Sequence, residues 1–250
     1  VLRQRIKPVL LRRTKDQVVK ELPPKQEQVL AIELSAKHRK IYDTRLARER
    51  QKVLGLLGEW EKNRFQIFRS LTLLRQLSLH PGLVDPDAVE AGSAKVDFLI
   101  EQLDQLVAED HSALVFSQFT GFLAILRDRL DAAGIEYSYL DGSVDARRRA
   151  EAIDAFSAGR TKVFLISLKA GGFGLNLTAA DYVFILDPWW NPAVEDQAAD
   201  RAHRIGQDRP VMVYRMVAKD TVEERIFALQ EKKRALADVA LGETNQAGGI

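Results

Sequence analysis

Two arginines and a glutamine within Asn191–Gln207, NPAVEDQAADRAHRIGQ, have the chemical type and spacing to hold phosphate. A guanidinium is permanently charged and presents a planar fork of donors that matches phosphate oxygens, so it can stabilise charge developing in phosphoryl transfer. As a single helix the run would place Gln197, Arg201 and Arg204 at i, i+4 and i+7, on one stripe. Its helix signals are Asn191 as N-cap, Pro192 at the first helical position, Glu195 and Asp196 at the positive end of the dipole, and Gly206 as the stop. Ala198, Ala199 and Ala202 keep that helix slim. The bland alternative is a solvated helix whose acid and arginine spacings merely suit ion pairs.

A sheet must carry this helix. From Ala94 onward short apolar runs alternate with helical patterns, the signature of an α/β fold with a parallel sheet wrapped by crossover helices. The strands are expected at Ala113–Ser117, Glu136–Leu140, Thr161–Ser167, Tyr182–Asp187 and Val211–Val217, and the crossover helices at Phe122–Ala133, Asp145–Ala158 and Pro192–Ile205. Ligands in such sheets bind beyond the carboxyl ends of the strands. Those ends lead into Ser117-Gln118-Phe119-Thr120, Asp141-Gly142-Ser143, Ser167 to Gly174, and Asp187 to Asn191, four polar or glycine-rich loops on one edge.

The loop Lys169–Leu177, KAGGFGLNL, carries the densest glycine signal but is not a dinucleotide fingerprint. Gly172 and Gly174 supply the first G-x-G, yet Leu177 holds the third glycine position. No Gly-Lys or Asp-Glu pair occurs in the chain, so neither a phosphate-cradling P-loop nor the acidic motif that holds its metal is present. Arginines suited to a nucleotide thus stand without a nucleotide cradle.

Composition narrows the class. With 250 residues, 46% hydrophobic and 29% charged, the chain can bury a full core and matches ordinary globular proteins. No apolar run is long enough to span a bilayer, no secretory signal is visible, and zero cysteines exclude disulfides and thiolate metal sites; an intracellular setting is expected. A net charge of +2 gives no global case for nucleic acid, although residues 1–25 hold eight basic against two acidic side chains, a segment that a solvated face would also explain. Four regions are expected: 1–34 as a basic linker ending in a strand, 35–93 as a helical subdomain, 94–218 as the α/β lobe, and 219–250 as a long amphipathic helix with a frayed tail. Ser35 should cap the helical subdomain, whose faces include Ile41, Val53, Leu56, Phe68, Leu71 and Leu74, and Thr221 with Glu224 should form a capping box for the last helix.

The runs ALVFSQFTGFL, YLDGSV, VFLISLKAGGFGLNLTAADYVFILDPWWNP and EDQAADRAHRIGQ resemble, in order and spacing, the motifs of the second RecA-like lobe of Swi/Snf-family ATPases. These are superfamily-two, helicase-like translocases that remodel chromatin or act in DNA repair. PVLLRRTKDQVVKELPPK and LRQLSLHPGL are similar to the family's lobe connection and second helical subdomain, and TVEERIFALQEKKRALA to its brace helix, so the resemblance covers nearly the whole chain.

The resemblance implies a RecA-like lobe in which Arg201 and Arg204 act as arginine fingers on ATP with Mg2+, held mainly by a first RecA-like lobe of the same parent chain. Gln197, Asp200 and Gly174 would lie near the nucleotide. Ser117, Gln118, Phe119, Gly142, Ser143, Ser167, Lys169 and Trp190 would face double-stranded DNA through its backbone, with a protein on that DNA as a further partner. One of Trp189 and Trp190 is expected to pack under the arginine helix instead. The compartment would be nucleoid-associated cytoplasm in a prokaryote or the nucleus in a eukaryote. Without the first lobe, the chain alone is expected to hydrolyse essentially no ATP. The alternatives are another superfamily-two helicase lobe, a non-enzymatic nucleic-acid or protein-binding module, and, least supported, a dinucleotide enzyme.

Overall fold

The computed structural model describes residues 22–170 and 175–241. Its strands are β1 (Lys25–Ile32), β2 (Ala113–Ser117), β3 (Tyr137–Leu140), β4 (Val163–Ser167), β5 (Tyr182–Ile185) and β6 (Val211–Ala218). Its helices are α1 (Ala36–Leu56), α2 (Trp60–Leu79), α3 (Ala94–Ala108), α4 (Thr120–Ala133), α5 (Ala146–Ser157), α6 (Pro192–Ala199) and α7 (Val222–Leu241). The strands form one six-stranded sheet in the order β1-β6-β5-β2-β4-β3, with every pairing parallel. β2 and β4 are buried at every position, as a sheet covered on both faces requires.

Alternation along the strands sorts the core into two layers. Val115, Leu165 and Phe184 face α3 and α4, where Val96, Leu99, Leu103, Phe122 and Leu126 are buried with them. Phe116, Phe164 and Ile185 face α5 and α6, against Phe156, Ala198 and Ala199. The connections leaving the adjacent strands β2 and β5 therefore run to opposite faces, through α4 and α6. A crevice opens where two such connections diverge, the usual ligand position in an open α/β sheet.

The strand expected toward the end of residues 1–34, with its strand character at Gln28–Leu34, is Lys25–Ile32, and it forms the edge strand of this sheet, in register with β6 from Lys25 opposite Val211 to Ile32 opposite Ala218. The basic segment before it, through Glu21, and the tail 242–250 lie outside the described residues. The helical region resolves into α1 and α2 joined by a 3-10 turn at Leu57–Glu59, and Ser35 Oγ accepts from His38 N at 3.4 Å as the expected cap. Tyr42, Leu74 and Leu77 form their shared core with Val222 of α7. Phe68, expected on an apolar face, is 50% exposed, because the core of the pair lies toward Leu74 and Leu77.

The last helix also departs from its simple amphipathic pattern. Thr221 Oγ1 accepts from Glu223 N at 3.1 Å, while the Glu224 carboxylate reaches Asp220 N at 3.0 Å, so the reciprocal half of the capping box closes one residue early. Leu229 and Leu236 are exposed, and α7 packs through Glu223, Ile226 and Gln230. Among the described residues no helix is long and apolar enough to cross a membrane.

Two charges inside the core join α3 to α7. Lys95 is 1% exposed and Glu223 0%. The Lys95 ammonium donates to the carbonyls of Leu186 at 2.7 Å and Met216 at 3.1 Å and to the Glu223 carboxylate at 2.7 Å, which also accepts from Ala218 N at 2.8 Å. All three ammonium donors are satisfied, which is what makes a buried lysine tolerable. Removing one partner leaves the other charge uncompensated in the core. Lys95→Met should cost about 3–5 kcal/mol in denaturant unfolding. Lys95→Met combined with Glu223→Leu should recover most of that loss; a double variant as unstable as the sum of both single changes would count against the pair as the cause.

Candidate functional site

At the crevice between β2 and β5 the described loops are tied together by one carboxylate. Asp187, 1% exposed, accepts from Ser117 Oγ at 2.5 Å, from Gln118 N at 3.3 Å and from the Gln118 side-chain amide. Ser117 Oγ in turn accepts from Phe119 N at 3.1 Å, so the backbone leaving β2 is fixed to that leaving β5. Trp189 and Trp190 follow on the β5 loop, both half-buried, with their carbonyls taken by the amide of Gln230 and, at 2.9 Å, the ammonium of Lys233 from α7. Neither indole is fully packed away under the arginine segment. Each instead has a guanidinium from α2, that of Arg75, over its ring.

The arginine segment is not one helix. α6 begins as expected, with Asn191 Oδ1 accepting from Ala193 N at 3.2 Å and Pro192 at the first helical position, but ends at Ala199. Beyond it turn bonds such as Ala202 N to the Ala199 carbonyl at 3.2 Å continue, and long-range bonds join them: the Arg201 carbonyl accepts from Leu177 N at 3.1 Å. The Gln207 amide donates to the carbonyls of Thr178 at 3.2 Å, Ala180 at 2.8 Å and Ala202 at 3.0 Å. Gly206 closes the turn at φ +100°. Gln197, Arg201 and Arg204 therefore do not share a helical stripe. Gln197 is exposed on α6, and Asp200 lines a groove with Lys25, Glu27, Asp196 and Arg215 beside β1 and α7.

The two arginines still meet. Arg204 Nη1 donates to the Leu175 carbonyl at 3.2 Å, while Arg201 is 7% exposed with a buried Nε that has no hydrogen-bond partner. Burial lowers the Arg201 pKa, and the positive charges of Arg204 and Arg149 lower it further. Arg149 comes from α5, so cations from two elements act electrostatically on the one buried guanidinium of Arg201, an effect an anion would relieve.

The expected DNA-facing residues divide. Gly142, Ser143 and Lys169 are exposed, and Gln118 and Phe119 are half-buried at the same edge. Ser143 is held by Asp141, whose Oδ1 accepts from its backbone N at 2.8 Å and its hydroxyl at 2.6 Å. Ser117 and Ser167 are withdrawn from the surface, at 0% and 3% exposure, because their hydroxyls serve the loops themselves, Ser167 Oγ accepting from Ala170 N at 3.2 Å. Gly174 lies outside the described residues. No group of three or more metal-ligating side chains is assembled among the described residues.

A family model described as helicase conserved C-terminal domain matches residues 94–206, and one described as SNF2-related domain matches residues 1–83. The crystal structure of the C-terminal part of the Fun30 ATPase domain superposes with a TM-score of 0.70 at 27% identity, covering 89% of this chain and all of that one. The mouse SWI/SNF-related matrix-associated actin-dependent regulator of chromatin subfamily A member 1 is 40% identical over 94% of the chain. The chain belongs to the SWI/SNF family of ATPases, as their second RecA-like lobe. An uncharacterized ATP-dependent helicase of Mycoplasma pneumoniae is 38% identical over 97% of the chain. The chain spans about a quarter of the length of these curated relatives, 23% of each.

In this SWI/SNF lobe the arginine segment is anchored through a charge network whose centre, Arg215, local spacing did not mark. Glu195, 1% exposed, was read as a dipole partner, yet its carboxylate accepts from Trp189 N at 2.6 Å, from Gln230 and from Arg215. Arg215, 3% exposed on β6, also donates to Glu27 at 3.0 Å and Asp196 at 2.9 Å, and Asp196 accepts from Arg234 at 2.9 Å. Burial alone would lower the Arg215 pKa; Glu195, Glu27 and Asp196 outweigh it and raise it. The available signal was Arg215 itself, a lone charge inside the apolar run VMVYRMV, since arginine is almost never fully buried without partners. Lys95 and Arg75 gave no comparable signal within their helical patterns.

Burial alone would raise the Glu27 pKa; Lys25 and Arg215 reverse this and bring it from 4.5 to about 2. A carboxyl with a depressed folded-state pKa contributes stability that is full above its unfolded value and is lost as pH falls toward its folded value. Glu27→Gln should therefore lower Tm near neutral pH, and the gap from wild type should narrow as pH drops below 4.5 toward 2. A gap independent of pH in thermal scans would remove the ion pair as its source.

Proposed function

We propose that this lobe is half of the motor of an ATP-dependent, double-stranded DNA translocase, in which Arg201 and Arg204 contact the phosphates of ATP bound on a first RecA-like lobe. The observation that carries the reading is Arg201, a guanidinium 7% exposed, unpartnered at Nε and crowded by Arg204 and Arg149. Such a group gains most when a multiply charged anion arrives, and it gains more as charge builds on the transferring phosphoryl group. Gln197 and Gly174 border the nucleotide in this reading, with Asp200 more remote. Mg2+ accompanies ATP as part of the substrate and takes its protein ligands from the other lobe.

The DNA path runs along the carboxyl edge of the sheet, over Gln118, Phe119, Gly142, Ser143, Lys169 and Trp190, with Ser117 and Ser167 supporting the loops from beneath. Hydroxyls, amides and one lysine suit phosphate contacts, which give affinity and register without reading sequence. Among the described residues these candidates are hydroxyls, amides, a lysine and aromatic side chains at strand ends rather than base-reading side chains on a recognition helix, so sequence-independent binding follows. The compartment is that of the DNA: nucleoid in a prokaryote, nucleus in a eukaryote.

In the full-length protein, Arg204→Ala or Arg201→Ala should lower the maximal ATPase rate by on the order of a thousandfold with DNA affinity nearly intact. Turnover left unchanged by both would make the segment structural. Arg204 is the cleaner probe, being exposed and tied by a single described bond to Leu175.

Lys169→Ala should weaken all duplexes alike and reduce the slope of log affinity against log salt by roughly one. Salt titrations on two unrelated duplexes decide it. An unchanged slope, or a marked preference for one duplex, would take this edge out of the DNA path.

A further inference from the structure

The crevice between the diverging β2 and β5 connections is filled by a side chain from outside the sheet. Arg75, about one turn before the end of α2, is 3% exposed, with its guanidinium 5.3 Å from the ring centroids of Phe119 and Trp189 and 5.6 Å from that of Trp190. Nη2 donates to the Pro188 carbonyl at 2.7 Å, and Nε is buried without a partner. Burial lowers its pKa against the attraction of Asp187, Glu223 and Glu195, the carboxylates around it.

We propose, resting on the reading of Trp190 as a DNA contact, that Arg75 is a positioning residue through which the α1–α2 helical subdomain sets the Asp187–Trp190 loop for productive DNA engagement. A residue needed only to fill space here would be apolar, because desolvating a charge is costly. A guanidinium does what an apolar side chain cannot: its faces attract aromatic rings while its in-plane donors fix a carbonyl. It thereby joins Phe119, which leaves β2, to the indoles that leave β5. The same loop reaches the arginine segment, since Trp189 N donates to Glu195 of α6 at 2.6 Å. Displacement of Trp190 by DNA therefore acts on α2 through Arg75 and on α6 through Glu195. A lysine would keep the charge but lose the planar stacking and the fork.

The test is a double-mutant cycle on the full-length protein with Arg75→Met, Trp190→Ala and both, measuring ATPase rate against duplex concentration, the rate without DNA, and thermal unfolding. Arg75→Met should cut the DNA-stimulated maximum by about tenfold or more while the DNA-free rate stays within about twofold, and the double variant should be no worse than the worse single one. Arg75→Lys should fall between Met and wild type, and it carries the same comparison if Arg75→Met does not fold. Multiplying effects in the double variant, or a DNA-free rate that falls in parallel with the stimulated one, would make Arg75 a packing residue and overturn the inference while leaving the DNA path standing. If Trp190→Ala leaves DNA stimulation unchanged, the loop is not a DNA contact, and the path and the inference fail together.

Discussion

The buried ion pair between Arg215 and Glu195 holds the site in place. Arg215 sits on β6 at 3% exposure and reaches Glu27 on the edge strand as well as Glu195 and Asp196 on α6. Replacing such a network by apolar side chains of equal volume can be neutral or stabilising, so stability alone is a poor reason for it. Its distinctive property is direction. A carboxylate that must meet a guanidinium, an amide of Gln230 and the backbone N of Trp189 at once has one permissible placement, and α6 is fixed in rotation and height by it. An apolar contact would have let this short helix slide.

That constraint explains why the arginines do not need a helix beneath them. A continued helix would have pointed Arg201 and Arg204 by its own periodicity. The chain instead leaves helical geometry at Ala199 and gives the following carbonyls to Leu177 N and the Gln207 side chain. Placement by tertiary bonds ties the arginines to the loop after β4, which also supplies the Leu175 carbonyl to Arg204. The loop after β4 and the arginine segment are thus bonded to each other directly.

Much of the sheet was legible because its strands are continuous apolar runs bounded by turn residues, a pattern with few other solutions in a chain of alternating elements. Ala113–Ser117 was placed to the residue, and the edge loops followed from the strand ends. The site was less legible for a physical reason. Side-chain roles there depend on contacts between residues far apart in sequence: Ser117 and Asp187 lie 70 positions apart, Lys95 and Glu223 lie 128 apart, and Arg75 and Pro188 lie 113 apart. The family resemblance implied Ser117 and Ser167 as DNA-facing hydroxyls, whereas both are buried: Ser117 donates to Asp187 across the sheet and Ser167 accepts from Ala170 N within its own loop. Asn191 and Pro192 marked the start of α6 because capping is local; its end was missed because the competing partners, Leu177 and Thr178, belong to another loop.

Among the described residues the three buried cations outside the arginine segment, Arg75, Lys95 and Arg215, lie toward the carboxyl edge of the sheet and mark how the pieces of the lobe are joined. Arg215 links β1 and β6 to α6, Lys95 links α3 to α7 across the ends of β5 and β6, and Arg75 links α2 to the loops after β2 and β5. Each cation bonds to the backbone or a carboxylate of an element far away in sequence, and each is too deeply buried to be replaced by water. At the amino ends of the strands the described charge contacts each have a partly or fully exposed member: Asp181 with His111 at 2.5 Å and Arg209 at 3.4 Å, and Lys162 with Asp110 at 2.8 Å. A lobe whose buried cations gather at the carboxyl end of its sheet can be rigid there while its opposite end relies on apolar packing and partly exposed ion pairs. Under the proposed function that asymmetry would suit a motor loaded at the carboxyl edge: a displacement of Trp190 would meet directional bonds first and reach the apolar part of the core last.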